Sequence, residues 1–149
     1  MKVKEKYCNE FKNEDVLKQD EKYVVFEYDY EKNTPKLYRL KNKETGEIVF
    51  EFEVPNPFDS EDFEKDLCLR YGHGIRGFIL SLFDKITKDV EISSPYLPNF
   101  ESDIYFKTDK EGVSIFSVEN PFYKLGFFKN KEYIDLFIDY FGFKTAIVV

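Results

Sequence analysis

The stretch KLYRLKNKETGEIVFEFEV, Lys36 to Val54, decides the fold. Its second half alternates without a break. Ile48, Phe50, Phe52 and Val54 fall on one side of a strand, and Val49, Glu51 and Glu53 on the other. Ahead of it, KLYRLKN alternates Leu37, Arg39 and Lys41 against Tyr38 and Leu40, which is a second strand. KETG between them is a turn. Working upstream, KYVVFEYDY, Lys22 to Tyr30, is rich in β-branched and aromatic residues and reads as a third strand, with EKNTP as the intervening turn. Three such strands make an antiparallel meander with one apolar face and one wet face. Residues 9 to 21, farther upstream, are charged, with Phe11, Val16 and Leu17 as their apolar points, and read as a short helix or loop.

Downstream the pattern changes. Pro55 and Pro57 end the strand. Asp59 or Ser60 is placed to cap a helix that runs to about Leu69, with acidic residues in its first turn. YGHG breaks it. From Ile75 to Lys88, Ile75, Phe78, Ile79, Leu82, Phe83 and Ile86 recur at helical spacing. DVEI, Asp89 to Ile92, is a candidate short strand, and SSPYLPNF is a loop with two prolines. DIYFKT and VSIFSVE flank DKEG and read as a hairpin. KEYIDLFIDYFG spaces Ile134, Phe137, Ile138 and Phe141 as a helix would, with Gly142 as a stop, yet it is aromatic enough for a strand. Both assignments stay open there. FKTAIVV, Phe143 to Val149, is a final, buried strand. The sum is one α+β domain over residues 1–149, with a mixed, largely antiparallel central sheet flanked by helices.

Bulk composition narrows the function classes. Aromatic residues make up 19% of the chain and Ala146 is the lone alanine, so the core is built from rings. The formal charge of −7 disfavours nucleic acid and anionic membrane as partners and suits a basic protein or a cationic substrate. Cys8 and Cys68 are too few for a disulfide framework and fit a reducing cytoplasm. No apolar run approaches the roughly 18 residues that span a bilayer, and the N-terminal segment lacks the apolar stretch of a signal peptide. One histidine and two distant cysteines make a zinc site a poor expectation, and no metal is expected.

The glycine-rich segment YGHGIRG, Tyr71 to Gly77, is the strongest motif. Gly72, Gly74 and Gly77 satisfy G-x-G-x-x-G, and a helix follows. Such glycines let main-chain amides approach phosphate oxygens at a helix N-terminus, with His73 and Arg76 adding donors or charge. A dinucleotide-binding reading needs a buried strand just before Gly72, and DLCLRY is short and charged. From Arg70 to Leu80, RYGHGIRGFIL resembles motif A of the GCN5-related N-acetyltransferases through Gly72, Gly74, Ile75, Ile79 and Leu80. FYKLGF, Phe122 to Phe127, resembles that family's Tyr-x-x-Leu-Gly-Phe segment. KLYRLKNKETGEIVFEFEV is similar to its central hairpin, and EYIDLFIDYFGFKTAIVV to its two closing strands.

The resemblance implies an acyl-CoA, acetyl-CoA in the first instance, held by its pyrophosphate on the loop. Gly72, His73, Gly74, Ile75, Arg76 and Gly77 would bind it, and an acyl group would pass to an amine on a small molecule or a protein. Glu51 and Glu53 are then candidate bases, and Tyr123 the candidate acid. Several positions depart from the family's pattern. Tyr71 stands for its Arg or Gln, Arg76 for a small residue, and Phe122 for its tyrosine, with Tyr123 one residue late. The family also places a helix where VSIFSVE reads as a strand. Small size, negative charge, abundant Tyr and Phe and an incomplete catalytic set suit a rival expectation. That rival is a non-enzymatic acidic binding protein, such as an immunity protein or an inhibitor that covers a basic site.

Overall fold

The computed structural model describes residues 11–30, 35–54, 74–92, 104–117, 124–141 and 147–148. Three hairpins in it are closed by the same device, a short polar side chain that bonds the backbone ahead of it. Between β1 (Phe11–Gln19) and β2 (Tyr23–Tyr30), Asp20 Oδ1 accepts the amides of Lys22 at 2.8 Å and Tyr23 at 2.7 Å. Those two amides, Tyr23's foremost, hold the Asp20 carboxyl below its ordinary pKa. Between β3 (Pro35–Asn42) and β4 (Ile48–Glu53), Asn42 Oδ1 accepts from Glu44 and Thr45, and Gly46 takes φ +74°, which costs a glycine little. Between β5 (Ile104–Thr108) and β6 (Val113–Ser117), Asp109 Oδ1 accepts from Glu111 and Gly112.

Strands β1 to β4 pair antiparallel in sequence order, as the meander read over 22–54 predicts for the last three. β1 is the departure: residues 11–19 form an edge strand rather than a short helix or loop. Its register on β2 shifts at Phe11/Asn13 and again at Val16/Lys18, so no period-2 pattern survives in the sequence. The second half of the sheet comprises β5, β6, β7 (Lys124–Phe128) and β8 (Ile147–Val148), and the order across all eight strands is β1-β2-β3-β4-β7-β6-β5-β8. Every pairing is antiparallel except β5 with β8. The two halves meet where β4 pairs β7, Phe50 opposite Phe128 and Phe52 opposite Gly126. Gly126 is there because nothing larger fits: a Cβ on it would collide with the Glu51 carbonyl and lie 3.0 Å from the Phe52 ring.

α1 (Gly74–Lys88) forms where the 3.6-residue spacing places it, with Lys85 and Lys88 in its last turn. It ends at Asp89, whose φ of +55° turns the chain out of the helix. Residues 89–92 continue without pairing, so DVEI is not a strand. α2 (Glu132–Phe141) resolves the open assignment in favour of a helix, with Glu132 and Asp135 in its first turn. It also occupies part of the segment where the acetyltransferase resemblance implies the first of two closing strands. Likewise residues 113–117, where that family has a helix, are strand β6. β7 and β8 each run parallel to β5, so α2 is the crossover that joins two parallel strands.

The two helices among the described residues lie on one face of the sheet. Phe50 on β4 packs edge-on against Phe78 of α1 at 5.4 Å and reaches Phe137 of α2 at 6.1 Å. Phe78 and Phe137 meet at 5.1 Å, nearly perpendicular. Phe128 and Phe106 complete the cluster beneath Phe137. Such tilted and perpendicular contacts match the ring quadrupoles, the arrangement a core of phenylalanines adopts. Lys18 of β1 reaches Asp84 of α1 at 2.7 Å, within ion-pair distance though off hydrogen-bonding geometry, and fixes the outer strand to the helix. The opposite face is not the wet surface that its glutamates suggest. Val49, Glu51 and Glu53 on β4 are all buried. The helix expected to run to Leu69, the loop SSPYLPNF and both cysteines lie outside the described residues.

Candidate functional site

Of the glycine-rich segment, the described residues begin at Gly74, the first residue of α1; Gly72 and His73 lie outside them, as does Tyr123. Gly74 and Ile75 are buried, and Arg76 is exposed. Gly77 faces the second helix, where a Cβ would come within 2.6 Å of the Tyr140 hydroxyl.

The two candidate bases sit next to each other on β4, but neither faces open water. Glu53 is 1% exposed and Glu51 is 4% exposed. β3 and β4 set Arg39 directly opposite Glu51, and Arg39 Nε donates to Glu51 Oε2 at 2.9 Å. Burial alone would lower the Arg39 pKa. The Glu51 carboxylate beside it, with help from Tyr28, reverses this and leaves the guanidinium more firmly protonated than usual. An Asp or Glu that must take up a proton from an amine needs a free lone pair and a path to it. Glu51 instead spends an oxygen on a permanent cation.

The pair belongs to a polar row that runs across the outer face of four strands. Arg39 lies over the ring of Tyr28 at 5.2 Å, with Nη1 3.5 Å from the Tyr28 hydroxyl. That hydroxyl donates to Glu14 Oε1 at 2.7 Å, on β1. The row therefore reads Glu14, Tyr28, Arg39, Glu51. The sequence reading overlooked the first three. The signal was present in the hairpin: once KETG is the turn, Arg39 falls opposite Glu51, and an apposed Arg and Glu on one face is an ion pair. Glu14 gave no such signal, because β1 was not read as a strand.

Burial, and then the Glu14 hydrogen bond, push the Tyr28 hydroxyl up to about 12, against the pull of Arg39. A tyrosine in the unfolded chain ionises near 10. Between pH 10 and 12 the unfolded state therefore releases this proton while the folded state keeps it, and stability falls as the pH rises. Below pH 10 both states hold the proton and the term is constant. We expect Tyr28→Phe to flatten the decline in stability over pH 10–12 relative to wild type. Denaturant midpoints at three alkaline pH values check this. Parallel declines for the two proteins would show that Tyr28 does not carry it.

Other surface features are more dispersed. α2 presents Glu132, Asp135 and Asp139 to solvent and contains no basic residue. An open depression of about 470 Å³ lies between the β5–β6 turn and the start of α2, lined by Thr108 to Gly112 and by Lys129 to Glu132. It contains none of the residues singled out from the sequence. Among the described residues no cluster of His, Cys, Asp and Glu is placed to hold a metal ion, and no helix is long and apolar enough to cross a membrane. Comparison with family models, curated proteins and solved structures gave no match to this chain. The described residues form an α+β fold, a largely antiparallel sheet with two helices on one face.

Proposed function

We propose that this chain is a non-enzymatic acidic binding protein that covers a basic site on a partner protein, as an immunity protein or inhibitor does. The observation that carries the proposal is the Arg39–Glu51 ion pair, buried and bonded at 2.9 Å. It commits one of the two candidate bases to structure, and Glu53 beside it is closed to solvent. What the chain offers such a partner is negative charge, −7 overall. Charge of one sign on a small rigid scaffold favours fast, salt-sensitive capture of a cationic surface.

The rival reading is an acyl-CoA-dependent N-acyltransferase. It draws on the start of α1 at Gly74, inside the glycine motif, with no acidic residue in the first turn to repel an anion. Thermal melting with and without millimolar acetyl-CoA separates the two. A ligand at 100 times its dissociation constant adds about 2.7 kcal/mol to stability. We expect no shift. A clear rise in the melting temperature would overturn the binding-protein reading in favour of acyl transfer. The positive counterpart is a basic protein that co-purifies with the chain at low salt and dissociates as salt is raised.

A further inference from the structure

We infer that the outer face of β1 and β2 is the gripping surface and that it takes an arginine-bearing basic segment of the partner. This rests on the binding-protein reading above. The face already performs the chemistry on itself. Arg39 is held by one aromatic ring, Tyr28, and one carboxylate, Glu51. The same two kinds of group recur beside it, Phe26 two residues from Tyr28 on β2 and Glu14 one strand nearer the edge. Phe26 lies 5.8 Å from Tyr28, tilted by 42°, and is only partly covered. Glu14 is exposed on the neighbouring strand, opposite Tyr28 in the register. No lysine or arginine among the described residues forms an ion pair with it. Val16, opposite Phe26, is 49% exposed and extends the apolar shelf.

An incoming arginine fits this arrangement in every part. Its methylene stem covers Val16 and Phe26, its guanidinium plane lies on a ring, and Glu14 supplies the counter-charge. Lysine fits less well, because a hydrated point charge neither stacks nor bonds in a fork. Charge complementarity names the occupant. Glu14 stands exposed on this face, and Arg39 of the same face is neutralised by Glu51, whereas Asp15 pairs with Glu27 and belongs to the other face.

The test is a fluorescence-anisotropy titration of labelled octa-arginine against the full chain at low ionic strength, with octa-lysine as comparator. We expect octa-arginine to bind several-fold tighter than octa-lysine. Glu14→Gln and Phe26→Ala should each weaken it by about tenfold or less. Asp135→Asn with Asp139→Asn, on α2, should leave it nearly unchanged. Circular dichroism confirms that each variant folds, and Glu14→Gln removes the charge while keeping an amide oxygen able to accept the Tyr28 hydroxyl. If octa-arginine fails to bind wild type, the basic-partner reading itself falls. If it binds and neither Glu14→Gln nor Phe26→Ala weakens it, that reading stands and this face is wrong. Equal loss from the α2 pair would mean diffuse attraction and overturn the inference. Equal affinity for octa-lysine would remove the arginine preference.

Discussion

Phe137→Ala should lower the unfolding free energy by roughly 3–5 kcal/mol. Phe137 is fully buried and sits at the centre of the aromatic cluster. Its ring meets Phe141 at 4.9 Å, Phe78 at 5.1 Å, Phe128 at 5.5 Å, and Phe50, Phe52 and Phe106 each at 6.1 Å. These partners come from both helices and both halves of the sheet. They are held by the backbone and cannot collapse into the space an alanine leaves, so the cavity term adds to the lost transfer energy. For a chain of this size the loss corresponds to a melting temperature about 10 °C lower. Urea titration of the variant measures it. A cost below about 1 kcal/mol would mean that α2 is not seated on the sheet as described.

The second large effect is electrostatic. Arg39→Met leaves Glu51 buried without its cation, and breaking such a pair from one side costs about 3–5 kcal/mol. Removing both charges, Arg39→Met with Glu51→Leu, leaves no orphan, and the double variant should return close to wild type. Chemical denaturation of the single and double variants closes the comparison. A single variant that loses under 1 kcal/mol would place the pair among solvated surface contacts. The outcome also bears on function. Residues that do acid–base chemistry are commonly removed at little or no cost to stability. A glutamate whose partner cannot be removed without a large penalty is part of the frame.

Much of this frame is written in the chain. The β-branched and aromatic composition of Lys22–Tyr30 and the alternation in Lys36–Asn42 and Ile48–Glu53 place three strands, and the Asp109 turn places the β5–β6 hairpin, because local composition or period agrees with a local turn. α1 follows from its apolar spacing for the same reason. What was misread depends on partners distant in sequence. β1 carries the charges Lys12, Glu14, Asp15 and Lys18, and is a strand because β2 pairs with it, not because its residues favour one. Glu51 looks like a solvent-facing residue in isolation, since the cation that makes its burial affordable lies on another strand. The 132–141 segment carries a helical period and strand-like residues together. Its acidic first turn and the crossover from β7 to β8 favour the helix. As for the candidate site, the glycines of the motif were legible as a pattern, but the row from Glu14 to Glu51 required the register.

The two bulges in β1 have a consequence for how copies of the molecule treat one another. An outermost strand of nine residues is long enough to act as a template on which a neighbour's backbone can add. Interrupted twice and studded with charge, this one presents no unbroken ladder of amides and carbonyls to copy. Straightening it, or exchanging its lysines and acids for valines, would convert a solvated rim into an adhesive one and open a route to fibrous polymer.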